Sequence, residues 1–470
     1  MSAEASFLVT PKVVPTLDSA FRPPVLANRA FRAAARASGH PVPVEVAIEQ
    51  ADGSVFRFST EVLPETHPQA AANLRFVERW LKFLLWSRGG FRIHWAGPSG
   101  LAAELQQYYR NTATGRFDAD IMGNRIYERP FELIPCSRDA LPPARSATKP
   151  LGRHWNGCRI GFDLGGSDRK VAAVIEGEVV FSDETVWDPI PQADPQYHFD
   201  GIMDSLRRAA AHLRRVDAIG GSAAGVYVNN RVKVASLFRG VPPEVFQSRV
   251  KDLFLEVRRA WNNVPLEVVN DGEVTALAGS MSLEANAVLG LALGTSTAGG
   301  YVTPDGNITS WLNELAFVPV DYQPDASLDE WSGDRGLGCR YFSQQCVGRL
   351  VAPAGIETPP DLPLPEVLKR VQSLMARDDP RARRIYETIG TYLGYTIAHF
   401  ADFYEFEHLL LLGRVTSGPG ADIMLAGARH VLATEFPELA QRIVLHTPDE
   451  KEKRHGQAMA AASLPVVDAG

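Results

Sequence analysis

The chain has 470 residues, 45% of them hydrophobic and 22% charged, a composition that excludes disorder and provides for two or three domains, each with its own core. A formal charge of -7 without clustered Lys and Arg argues against nucleic acid as a partner, and no run of about 18 apolar residues is present to span a bilayer. Cys136, Cys158, Cys339 and Cys346 lack C-x-x-C spacing and suit free thiols in a reducing compartment.

The opening MSAEASFLVT has neither the basic start nor the apolar block of a secretory signal, so a cytoplasmic protein with no membrane partner is expected. "VPVEVAIEQADGSVFRFSTEVL" alternates around Asp52-Gly53 and predicts a hairpin; "AANLRFVERWLKFLLWS" places apolar residues at helical spacing. After Trp86 the chain passes Gly89-Gly90 into an alternating "FRIHWAG", so the helix is followed by strand and not by the recognition helix of a helix-turn-helix. "PPARSATKP", Pro142 to Pro150, reads as a linker closing a small α+β extension.

Beyond the linker two segments repeat one plan. Strand "CRIGFDL" meets Gly165-Gly166-Ser167, then strands "KVAAVIE" and "EVVFSD"; strand "AVLGLAL" meets Gly294-Thr295-Ser296, then "GGYVT" and "NITSW". Both glycine loops open into another strand, which excludes the P-loop and the dinucleotide fold, where a helix follows. A glycine hairpin still turns successive backbone N–H groups one way, forming an anion cradle that a Cβ would obstruct. "VPLEVVNDGEVTALAGSM" runs a strand into Asn270-Asp271-Gly272 and then a helix, so Asp271 emerges at a strand's carboxyl end, where ligands of α/β sheets bind. A last apolar strand ends at Gly413, before a helix starting around Pro419 to Asp422.

Two glycine hairpins, an aspartate at the first, an "ND" before a helix and a late glycine turn together resemble the actin-like ATPase superfamily, and within it the ROK family of sugar kinases and repressors, over roughly residues 157 to 465. The resemblance implies an α/β fold of two ribonuclease H-like lobes around a central cleft, preceded by the small α+β extension. The divisions expected are 1–150 for extension and linker, 151–285 and 286–450 for the lobes, and 451–470 for a C-terminal helix returning to the first lobe. It implies ATP and Mg²⁺ as cofactors and a sugar, amino sugar or cyclic polyol as the small-molecule partner. "IGFDLGGS" resembles the first phosphate motif, making Asp163 the water-mediated partner of Mg²⁺ and Gly165, Gly166 and Ser167 phosphate contacts. "LALGTSTAGG" resembles the second, with Gly294, Thr295 and Ser296. "LLGRVTSG" gives Gly413 to the nucleotide. "VVNDGEV" makes Asp271 the general base and Asn270 a sugar contact; "NELAF" brings Glu314 to the sugar, and Gly225 and Ser236 occupy sugar-facing positions.

The sequence departs from the family pattern at the sugar wall. Phe317 stands where the family has a zinc-binding histidine and only Cys339 of the accompanying cysteines remains, so no structural zinc is expected. Tyr341 replaces a sugar-binding glutamate, and Asp168 a lysine beside the first loop. An ATP-dependent sugar kinase is the leading expectation; a non-catalytic ROK-like sugar sensor is the alternative. A filament former is poorly motivated, and a homodimer is among the possible closed assemblies.

Overall fold

The computed structural model describes residues 7–146, 151–447 and 456–467; the last part of the expected linker, 147–150, and the start of the C-terminal segment, 451–455, lie outside them. The alternation around Asp52-Gly53 closes as an antiparallel hairpin of β1 (Val42–Glu49) and β2 (Val55–Val62). Asp52 Oδ1 fixes its turn by accepting from Ser54 N at 2.8 Å. β3 (Arg92–Ala96) pairs antiparallel with the other edge of β1, and β4 (Glu132–Pro135) lies parallel to β3, giving the order β2-β1-β3-β4.

The helix Ala72–Arg88 forms where its periodicity predicts, but it has no solvent face: every residue from Phe76 to Arg88 is buried. Its polar stripe meets opposite charge from distant parts of the chain. Lys82 Nζ lies 2.8 Å from Asp118 Oδ1 and 3.0 Å from Asp334 Oδ2, and Arg79 grips Asp334 through two bonds of 3.1 and 2.9 Å.

In the first lobe β5 (Cys158–Leu164), β6 (Asp168–Ile175) and β7 (Glu178–Val186) form an antiparallel meander. β8 (Ala218–Ala223) is followed by a ribbon of β9 (Val226–Val228) and β10 (Arg231–Val234), then by β11 (Leu266–Asn270). β11 and β8 join β5 in parallel, so the sheet order is β11-β8-β5-β6-β7. The second sheet, β13-β12-β14-β15, comprises β12 (Val288–Leu293), β13 (Thr297–Val302), β14 (His408–Leu412) and β15 (Val444–His446). The helix Gly456–Ala462 crosses the first sheet, and Arg159 on β5 donates to the Pro465 carbonyl just beyond it at 2.8 Å.

The repeat is incomplete in one place. "NITSW" is expected as a third antiparallel strand of the second sheet, yet only Ile308 bridges to Val302 and Leu151. Helix Ala72–Arg88 captures the chain instead: the carbonyls of Trp86, Ser87 and Arg88 accept the N–H groups of Glu314, Asn313 and Leu312 at 3.0, 3.0 and 3.3 Å. The last carbonyls of a helix lack partners within it, and here a passing segment supplies them.

The extension and second lobe share one apolar core. The Phe21 ring lies 4.8 Å from Tyr392 and 6.1 Å from Tyr341, and Phe83 stacks on Phe403 at 3.9 Å. The first lobe has a separate core around Phe162, Phe238 and Phe254. Among the described residues no helix is long and apolar enough to cross a membrane.

Candidate active site

Three parallel strands end together at one edge of the first sheet. Asp163, Ser222 and Val269 are in register across β5, β8 and β11, followed by Leu164, Ala223 and Asn270, so Asp271 begins a helix one residue beyond the edge. Ser222 Oγ donates to Asp163 Oδ1 at 2.6 Å and leaves Oδ2, among the described residues, with only Lys170 Nζ, 3.9 Å away. Asn270 caps the helix Asp271–Ser282: its Oδ1 accepts from Gly272 N at 2.7 Å, while its Nδ2 donates to the Gly225 carbonyl at 2.7 Å. Both of its side-chain groups are therefore engaged within the protein. A Cβ on Gly272 would lie 2.3 Å from the Gly299 carbonyl of β13, so glycine lets the helix start against the second lobe and puts Asp271 between the lobes.

The glycine loops flank this edge. In the first, Gly165 N donates to Asp168 O at 2.9 Å and Trp187 Nε1 to the Gly165 carbonyl at 2.8 Å, leaving Gly166 and Ser167 exposed at the tip. In the second, Gly294 N donates to Ser296 O and Gln344 N to the Gly294 carbonyl, both at 2.9 Å, with Thr295 and Ser296 exposed. β12 and β14 are parallel, so Gly413 leaves the second sheet at the same edge as Gly294. Gly413 has φ +105 and would place a Cβ 2.5 Å from the Leu293 carbonyl; any side chain would push the third loop off the second. The helix after it is Gly420–Glu435. Ser236 is exposed at the start of the turn Ser236–Phe238 and makes no hydrogen bond to the acids among the described residues.

A chain of carboxyl groups runs through the site, with Asp271, Glu314 and Glu273 each raised in part by the charge of the acid before it. Burial raises the Asp271 carboxyl to about 6, and the charge of Asp163 adds to the rise. Burial, then Asp271, lift Glu314 to about 7; burial lifts Glu273 to about 8 against hydrogen bonds from Asn313 and Tyr301 N. Asp163 is also raised by burial, opposed by Ser222 and Lys170. Acids held near neutrality in a cleft suit proton transfer. Glu314 owes its place to the extension, because its N–H is bonded to the Trp86 carbonyl and the Phe317 ring lies 4.6 Å from Trp86.

Lys170, Ser222, Glu273 and Asn313 were not singled out from the sequence. Lys170 was accessible to it: Asp168 and Lys170 share a face of β6, and the hairpin register sets Lys170 opposite Asp163. Its Nζ lies 3.0 Å from Asp168 Oδ1, so the strand returns a cation to the loop where Asp168 stands in the lysine position. Tyr341 is not part of the site. It is 1% exposed, and its hydroxyl donates to Asp321 Oδ2 at 2.7 Å in the shared core. Phe317 and Cys339 belong to an apolar cluster with Ala316 and Leu337.

Glu273 gives the site a signature in stability. Its carboxyl stays protonated to about pH 8 in the folded protein but only to its ordinary 4.5 when unfolded. Its contribution is therefore complete below pH 4.5 and is lost as pH rises to 8, on the order of a few kcal/mol. Thermal melts from pH 5 to 8 should show a decline that Glu273→Gln flattens; an unchanged slope in that variant would assign the decline to other groups.

Two such sheets, each entered through a glycine hairpin, give the chain the fold of the solved ROK family structures. The chain is similar to the ROK hexokinase from Thermus thermophilus, with TM-score 0.52 and 16% identity over 66% of this chain and 97% of that one. It is similar in the same way to a ROK family glucokinase from Streptomyces griseus solved with glucose and AMPPNP, with TM-score 0.52 and 19% identity over 66% of this chain and 99% of that one. A ROK family transcriptional regulator, a homologue of the E. coli MLC protein, aligns with TM-score 0.49 and 20% identity over 69% of this chain and 80% of that one. No protein-family model and no curated protein matches the chain.

Proposed function

We propose that the protein is an ATP-dependent kinase that phosphorylates a hydroxyl of a sugar, amino sugar or cyclic polyol. The observation that carries this reading is the pairing of Asp163 and Asp271 at the ends of β5 and β11, close enough for one charge to raise the other's pKa. Phosphoryl transfer asks a protein chiefly for positioning and charge neutralisation. Asp271 accepts the proton of the acceptor hydroxyl as its oxygen bonds to phosphorus, and its pKa near 6 leaves it ionised at neutral pH while keeping it basic. Glu314, coupled to Asp271, orients the acceptor's other hydroxyls.

The residues also fit Mg-ATP, which when bound supplies the transferable phosphoryl group and the cation that screens its charge. Asp163 has one oxygen without a close partner, and Mg²⁺ characteristically keeps several waters and takes one or two carboxylates. The exposed tips at Gly166-Ser167 and Thr295-Ser296 suit the phosphates, and Gly413 the nucleoside. Asn270 positions Asp271 through its cap and holds the Gly225 turn.

The test is ADP release from Mg-ATP across a panel of hexoses, amino sugars and cyclic polyols. At least one acceptor should give sustained turnover and a phosphate monoester. Calorimetric sugar binding with neither nucleotide binding nor turnover would replace this reading with the non-catalytic sensor.

A further inference from the structure

The β9–β10 ribbon lies between the first lobe and the extension. Val226 belongs to the core shared by the extension and second lobe, with Val228 and Val234 packed against it, whereas Tyr227 and Val232 face the core of the first lobe. A register shift between Val232 and Val234 lets one short strand serve both sides. One end of the ribbon is held at the site through the Gly225 carbonyl and Asn270. The other, the Asn229-Asn230 turn, borders a cavity of about 410 Å³ against the extension.

Charge in this cavity is unbalanced. Its lining includes Arg129, Arg231 and Lys233 but a single carboxylate, Glu128. Glu128 is shared by Lys233 Nζ at 3.1 Å and by Lys251 Nζ at 2.5 Å. Arg231 Nε lies 3.2 Å from Asp252 Oδ1, which is not among the lining residues. Arg129 lies over the Phe91 ring, 5.3 Å from its centroid, with no carboxylate in ion-pair range among the described residues. The Lys233 side chain is only 6% exposed. Burial, and then repulsion from Lys251 and Arg231, work against its charge despite Glu128. A buried ammonium that shares its one carboxylate with Lys251, in a cavity also lined by Arg129 and Arg231, is complemented by a compact dianion, and the volume falls in the range of small-molecule sites.

We propose that this cavity binds a small phosphomonoester, held by Arg129 from the extension and by Arg231 and Lys233 from the ribbon. The site stands apart from the acids at the ends of β5 and β11 and does not depend on the kinase reading. Because the ligand touches both the extension and the first lobe, it favours the lobe arrangement that brings Arg129 and Lys233 together.

Calorimetry on the full chain with glucose 6-phosphate, with and without saturating Mg-AMPPNP, tests this. Binding should persist with the nucleotide analogue present and be at least tenfold tighter than that of inorganic phosphate. Arg129→Gln/Arg231→Gln, both at exposed or half-exposed positions, should weaken it at least tenfold with an unchanged melting curve. Glu128→Gln should tighten it by freeing Lys233. Absence of binding, its loss on adding Mg-AMPPNP, equal or tighter binding of inorganic phosphate, or indifference to the Arg129/Arg231 change would each overturn the proposal.

Discussion

Replacing Asp271 with asparagine should lower turnover by roughly two to four orders of magnitude, the usual contribution of a general base, while nucleotide affinity stays nearly constant. The isosteric amide keeps the helix start intact, since Asn270 makes the cap and the new amide oxygen can still accept from Gly272 N as Asp271 Oδ1 does at 3.0 Å. What disappears is a carboxylate able to take the acceptor's proton. On the proposed kinase reading, the unaltered protein should show kcat/KM rising with pH through about 6, as Asp271 ionises, and the residual rate of the variant should lose that limb. Stopped assays of ADP release, beside calorimetry with Mg-AMPPNP, separate the two effects. Equal loss of turnover and nucleotide affinity would remove Asp271 from the role of base and make it a structural residue.

The second large effect lies away from the chemistry. Asp334→Asn should destabilise the protein by about 3–5 kcal/mol, the usual cost of removing one partner from a buried ion pair. Burial alone would raise the pKa of Asp334, but Arg79 and Lys82 outweigh it and hold the carboxyl far below its ordinary value. Deleting that charge leaves two cations, each with a 1% exposed side chain, with only Glu78 and Asp118 to balance them. Chemical denaturation followed by tryptophan fluorescence should shift as one transition, because Trp86 donates to Asp118 within the same network and the extension shares its core with the second lobe. A shift under about 1 kcal/mol, or separate unfolding of the extension, would contradict this account.

The parts of the fold legible in the sequence were those set by neighbours along the chain. The turn at Asp52-Gly53, the strands on either side of Gly165-Gly166, and the helix beginning at Asp271 each depend on a few contiguous residues, and each formed as expected. What stayed hidden depended on partners hundreds of positions away. Glu78, Arg79 and Lys82 look like the wet side of an amphipathic helix until Asp118 and Asp334 are brought to them. The failed strand at "NITSW" has the same origin, since nothing in those five residues signals that the carbonyls at the end of helix Ala72–Arg88 will take the chain that follows. His399 packs with its ring 4.8 Å from Phe83, neither of its nitrogens has a partner among the described residues, and burial keeps the ring neutral by lowering its pKa to about 3.

The wedging of Phe21 among Tyr341, Tyr392 and Tyr395 bears on how such a gene is able to change. The first third of the polypeptide is not a cassette to be shuffled or discarded, because excising it would strip aromatic rings from the hydrophobic interior of the remainder and leave them facing water. Recombination breakpoints are tolerable only where they carry both pieces of that interior together, so the leading segment and the second lobe must be inherited as one unit.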